Sequence, residues 1–165
     1  MAETELYLIR HGLAGTRDPN RDDRLRSLTS AGRRRTRSVA RHLARRGVHF
    51  DLLLSSPLLR ASETAGILRD RGLAERVEEA GPLRPGGQLK RLLAILRTRK
   101  GRLRRVALVG HEPDLSEWAE RLVWGSVRHR LVLKKAGIIG LTLPPEGSPV
   151  GRCQLFLLVP PRLLV

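Results

Sequence analysis

Cysteine is nearly absent: the 165-residue chain has one, Cys153. A single thiol excludes an intramolecular disulfide and any zinc site built from several cysteines. Aromatic side chains are scarce as well, at 3% of the chain. Tyr7, Phe50, Trp118, Trp124 and Phe156 are scattered and form no basic-aromatic patch on which bases could stack, which argues against nucleic acid as a partner. No apolar run approaches the roughly 18–20 residues that span a bilayer, so no membrane partner is expected. The opening Met1-Ala2-Glu3-Thr4-Glu5 is acidic and lacks the basic and apolar regions of a secretory leader, and the expected location is cytoplasmic. Lysine is rare too, limited to Lys90, Lys100, Lys134 and Lys135 among 32 basic residues. Against 16 acids this leaves a net charge of +16, nearly all of it from arginine. A compositional arginine habit and a field that attracts phosphates or acidic proteins explain that charge equally well.

What is present is enough apolar material for a core, 41% of residues, in a length that suits one domain over residues 1–165. Leu6-Tyr7-Leu8-Ile9, Asp51-Leu52-Leu53-Leu54 and Val106-Ala107-Leu108-Val109 are short unbroken apolar runs, the pattern of strands buried on both faces. Between them lie helical patterns. Thr29-Ser30 opens one that carries Val39, Ala40 and Leu43 and stops at Gly47; a second follows Ser56-Pro57 with Ala61, Thr64, Ala65 and Leu68 on one face. A Leu-rich helix with Leu89, Leu92, Leu93 and Leu96 is expected to stop near Gly101, and another runs from Leu115 to Trp124. Two late strands, around Ile138–Leu143 and Leu155–Val159, flank the turn Pro144-Pro145-Glu146-Gly147. Strands alternating with helices predict an α/β three-layer sandwich, a mostly parallel central sheet with helices on both faces.

Three of the buried strands end in residues that can do chemistry: Arg10-His11, Ser55-Ser56-Pro57 with Arg60 one turn on, and Gly110-His111. Ligands of open α/β sheets sit outside the carboxyl ends of the strands, so one site could collect two imidazoles and two guanidiniums. Such a set suits a phosphoryl group. Arginine forks bind phosphate bidentately, and a neutral imidazole whose other nitrogen is held can act as a nucleophile. With no carboxylate beside both histidines in sequence, no metal or other cofactor is expected. His42, His49 and His129 lie in ordinary surroundings and are expected at the surface. Ser55 and Ser56 lack a nucleophile-elbow motif and suit capping or turn duty. Cys153 is expected as a small buried hydrophobe. Arg33-Arg34-Arg35 is expected as a solvated helix face, with docking of an acidic partner as the alternative.

Leu8-Ile9-Arg10-His11-Gly12, Leu28-Thr29-Ser30-Ala31-Gly32, the segment from Ser56-Pro57 through Arg60 to Ala65, and Val109-Gly110-His111-Glu112-Pro113 occur in one order along nearly the whole chain. In that order they resemble the histidine phosphatase (phosphoglycerate mutase-like) superfamily. The short length and the Gly-His-Glu-Pro form are most similar to its SixA branch of small phosphohistidine phosphatases. The resemblance implies a phosphoglycerate mutase-like fold and a metal-independent phosphatase with His11 as nucleophile. It implies Arg10 and Arg60 as phosphate clamps and His111 as the second histidine on the phosphoryl oxygens. Arg26 matches a basic, substrate-binding position of that branch more loosely.

The resemblance fails at one place. Larger members carry a catalytic acid in the stretch corresponding to Leu83–Gln88, and this chain has none there. General acid help is typically worth ~10²–10⁴-fold, and an alkoxide leaving group needs it more than the imidazole of a phosphoramidate does. Asp18, Glu78, Glu79 and Glu112 are the remaining candidates, unranked by sequence. The expected substrate is therefore phosphohistidine in a protein. The alternatives are a phosphatase of small phosphate monoesters or metabolites and a non-catalytic phosphate- or phosphoprotein-binding module.

Overall fold

The computed structural model describes residues 3–99 and 103–165. Six strands, β1 (Thr4–Arg10), β2 (Leu52–Ser55), β3 (Glu78–Glu79), β4 (Arg105–Gly110), β5 (Ile138–Leu143) and β6 (Gln154–Val159), form one sheet in the order β3-β2-β4-β1-β5-β6. The first four neighbours pair in parallel, while β5 runs antiparallel to β1 and β6 antiparallel to β5. Four helices accompany the sheet: α1 (Ser30–Arg45), α2 (Leu59–Asp70), α3 (Leu89–Arg97) and α4 (Asp114–Trp124). The expected Gly101 stop of α3 lies outside the described residues.

Successive side chains of a strand point to opposite faces, and this explains the unbroken apolar runs. Leu6 and Leu8 of β1, with Leu54 and Leu108, pack in one core with Leu92 of α3 and with Trp118 and Leu122 of α4. Tyr7 and Ile9, with Leu53 and Val109, pack in the other with Val39 and Leu43 of α1 and Ala61, Ala65 and Leu68 of α2. The result is the expected three-layer sandwich. Thr29 caps α1 by accepting from Gly32 N at 2.9 Å, satisfying one of the orphan donors of the first turn. Cys153 is buried as expected.

Two details differ from the sequence-based expectation. The second helix begins at Leu59 instead of within its Pro57 turn, and Leu58 precedes it with no side-chain cap. Glu78–Glu79 forms a two-residue edge strand, too short and too charged to show as a strand in a pattern of apolar runs.

Candidate active site

Parallel pairing in register sets the place of the site. Arg10 of β1 stands opposite Gly110 of β4, and Ser55 of β2 stands opposite Val109, so the three strands finish at one edge of the sheet. Two bonds tie the chain just beyond: His11 N donates to Gly110 O at 3.1 Å, and Ser56 N donates to Val109 O at 2.9 Å. This edge brings His11, His111, Arg10 and Arg60 together from segments 50 to 100 positions apart in order. The imidazole centroids of His11 and His111 are 5.2 Å apart. Both rings and Arg60 are buried, and Arg10 is half-buried.

His11 is held by its own main chain. Its Nδ1 lies 2.7 Å from Gly12 O. A carbonyl oxygen only accepts, so this bond puts the proton on Nδ1 and leaves the lone pair of the neutral ring on Nε2. The Gly12 peptide is itself fixed, because Gly12 N donates to Thr64 Oγ1 at 3.0 Å and Thr64 Oγ1 donates to Arg60 O at 2.7 Å. A side chain at Gly12 would collide with Thr36 of α1, so the close approach of this loop to the helix requires glycine.

Burial pushes the His11 ring down to about 3, with His111, Arg60 and Arg10 adding like-charge repulsion while the Gly12 bond opposes the shift. His111 is pushed down to about 4, first by burial and then by Arg60. Both rings are therefore neutral near pH 7. His111 Nε2 lies 2.8 Å from Ser56 Oγ, which also accepts from Leu58 N at 3.3 Å. With one lone pair of Ser56 Oγ taken, its hydroxyl hydrogen is available to His111 Nε2, and in that tautomer Nδ1 is a donor. Ser56 thus performs turn duty, one of its two expected roles, and in addition orients a site histidine, a contact that no local sequence signal reveals.

The two arginines are presented alike. Arg10 Nη1 donates to Leu133 O at 3.0 Å, and Arg60 Nη1 donates to Asp23 O at 2.9 Å. Each guanidinium is anchored at one end by a main-chain carbonyl, and the Nε of each remains free. Among the described residues, the buried side-chain nitrogen and oxygen atoms without a hydrogen-bond partner are Arg10 Nε, Arg60 Nε and His111 Nδ1. Buried polar groups in folded proteins are paired as a rule, so unpaired donors on three residues of one cluster mark a place for an acceptor. Lys135 lies at the rim, on a turn that Ala136 N docks onto Arg10 O and His11 O at 3.1 and 3.2 Å.

Sequence reasoning missed Asp23. Its carboxylate pairs with Arg60 Nη2 at 3.1 Å and with Arg26 Nε at 2.8 Å. Arg26 also donates through Nη1 to Gly15 O at 3.1 Å, so it joins the site by way of Asp23. Three of the four candidate acids are otherwise engaged. Both oxygens of Glu112 accept from Ser116, from N at 3.0 Å and from Oγ at 2.6 Å, and burial raises its carboxyl. Glu78 pairs with Arg76 and Arg99, Asp18 pairs with Arg21, and Glu79 is exposed on the edge strand. His49 and His129 are exposed and His42 is half-buried, all away from this cluster. Among the described residues no group of three or more His, Cys, Asp or Glu side chains is arranged to hold a metal ion.

Fold and cluster together define a class: an α/β protein with two arginines and two neutral imidazoles gathered at the carboxyl edge of its sheet, the Nε2 of one imidazole being free. The family model of the histidine phosphatase superfamily (branch 1) matches residues 6–82. An uncharacterized protein of Picosynechococcus sp. (strain PCC 7002) is 44% identical over 168 residues, covering 98% of this chain and 99% of its own. Among solved structures, the protein histidine phosphatase SixA complexed with tungstate superposes with a TM-score of 0.85 at 24% identity, covering 98% of this chain and 100% of that one. The alpha-ribazole phosphatase of Shigella flexneri gives 0.73 at 19% identity over 96% of this chain and 97% of its own. A phosphoserine phosphatase of Entamoeba histolytica gives 0.71 at 17% over 98% and 100%. These likenesses establish the phosphoglycerate mutase-like fold. The chain belongs to the histidine phosphatase superfamily, and it is a phosphatase.

Proposed function

We propose that the protein hydrolyses phosphohistidine in a protein substrate, through a covalent phosphohistidine on His11. The observation that supports this most directly is the trio of unpartnered buried donors, Arg10 Nε, Arg60 Nε and His111 Nδ1, around a ring whose Nε2 carries the lone pair. A phosphoryl group in transfer spreads charge over three equatorial oxygens, and fixed donors stabilise it without reorganising. His11 Nε2 attacks phosphorus in line, a P–N bond forms, and the bond to the leaving group breaks. The departing imidazole nitrogen takes a proton from solvent. Water then attacks the same phosphorus, the bond to His11 breaks, orthophosphate leaves and Nε2 regains its lone pair. Arg10 and Arg60 hold the oxygens in both steps.

The choice of leaving group rests on the acids. Glu112, Glu78 and Asp18 are tied to Ser116, to arginines and to Arg21, and Asp23 is held ionised between Arg60 and Arg26. With these four carboxylates held as acceptors and Glu79 exposed on the edge strand, a nitrogen leaving group suits the site better than an alkoxide, which needs more help from a general acid. His11→Ala is expected to abolish release of phosphate, and rapid quench of the wild type with labelled substrate should trap an acid-labile, base-stable adduct. Undiminished turnover by His11→Ala would remove the mechanism. Turnover of a phosphohistidine peptide against an alkyl phosphate such as phosphoserine at neutral pH separates this substrate from small esters with alkoxide leaving groups; a wide advantage for the ester would overturn the leaving-group argument. Anion binding with no phosphate release would leave only the binding-module reading.

A further inference from the structure

Asp23 and Arg26 lie on and beside a short 3₁₀ turn, Asp23–Leu25, that follows the polar loop after β1. Arg60 is 4% exposed at its side chain, whereas Arg26 and Asp23 are 21% and 31% exposed. The three form a chain that runs inward from the surface: Gly15 O accepts from Arg26, Arg26 donates to Asp23 Oδ1, and Asp23 takes both terminal nitrogens of Arg60 through Oδ2 and its main-chain oxygen. Those bonds fix the far end of the Arg60 fork and leave Nε as its unpartnered atom. An arginine on a flexible stem loses affinity for an anion when its fork is not preorganised. Asp23 has a second effect. Arg26 and Arg17 are each near enough to Arg60 to repel it, and the Asp23 carboxylate stands among the three; burial raises its carboxyl, but those partners hold it below the usual carboxylate range.

We propose that Asp23 and Arg26 are positioning residues for Arg60. Arg26 holds the Asp23 carboxylate, Asp23 holds the Arg60 fork, and the Nε edge is thereby turned to the phosphoryl group. Arg26, matched on sequence to a substrate-binding position, acts through Asp23 and does not itself touch the phosphoryl group. This rests on the reading of Arg60 as a phosphate clamp and deepens it.

The test is binding of inorganic phosphate by calorimetry, in parallel with thermal unfolding, for wild type, Asp23→Asn, Arg26→Met and the double variant. Each single variant should weaken phosphate binding about 10-fold, the scale of one lost charge-assisted hydrogen bond. The double variant should bind no more weakly than Asp23→Asn alone, because Arg26 has nothing to hold once the carboxylate is gone. The same substitutions should have no further effect on phosphate binding in an Arg60→Met background, a result that a merely structural role for the turn would not give. Additive losses in the double variant, undiminished losses without Arg60, or tighter phosphate binding by Asp23→Asn would each overturn the proposal. Since no turnover is measured, inactivity toward phosphohistidine would leave this test intact.

Discussion

His11 and His111 carry no charge where most histidines are half-protonated, and the reason is their burial among cations. The sign of the consequence follows from linkage. An unfolded histidine titrates near 6.5, whereas these rings titrate at about 3 and about 4 in the folded protein. Between those values the unfolded chain binds more protons than the folded one, so stability rises with pH there. The contribution is fully present above about 6.5 and is lost as pH falls toward 4, at up to about 1.4 kcal/mol per pH unit for each ring. Urea unfolding between pH 7.5 and 5.5 should show this loss, and His111→Gln should remove about half the slope. An unchanged slope in that variant would refute the assignment. Arg10, His11, Arg60 and His111 were legible in the sequence because each sits where an apolar run or a turn ends abruptly. Ser56 and Asp23 were not: a serine beside a proline and an aspartate in a charged loop are ordinary, and only the fold brings them to His111 and Arg60.

Among the elements, the segment after α4 is organised by one carboxylate. Glu120 is buried, and it accepts main-chain N–H bonds from Arg128 and from His129, Arg130 and Leu131 at 2.5–2.7 Å. Those four bonds outweigh the cost of its burial and hold its carboxyl down to about 2. The same segment delivers Leu133 O to Arg10 and the Lys135 turn to the site rim. Glu120→Gln turns an acceptor oxygen into a donor against main-chain donors. It should cost about 2–4 kcal/mol in chemical unfolding and weaken phosphate binding through Arg10. Retention of wild-type stability would show that the segment holds itself. This device escaped the sequence reading because a glutamate on an amphipathic helix looks solvated. Strands and helices were legible to within a few residues, because burial on two faces and helical periodicity leave direct marks; β3, with two glutamates, leaves none.

For the whole molecule the net charge of +16 is a cost to the compact state, since like charges repel more when brought together. The cost is concentrated on α1, whose 16 residues contain no acid. Arg34, Arg37, Arg41 and Arg45 are exposed at spacings of three and four, a single stripe opposite the buried face, and among the described residues none of them forms an ion pair. Neighbours at that spacing repel by about 0.2–0.5 kcal/mol per pair. Raising sodium chloride from about 20 mM to about 300 mM should therefore raise the melting temperature by a few °C. Arg41→Glu should stabilise the protein and reduce that salt response. A melting temperature that falls with salt would show that the ion pairs elsewhere outweigh the repulsion.

The sequence by itself determined the layers of the sandwich and the four cationic or imidazole groups that gather at one edge of the sheet, because periodicity and abrupt polar breaks are properties of the chain read locally. Tertiary structure alone decided which nitrogen of His11 is free, how Ser56 turns His111, and that Asp23 stands between Arg26 and Arg60. Those facts depend on distances between segments far apart in the chain, and hydrogen bonds that short are set by packing, not by spacing.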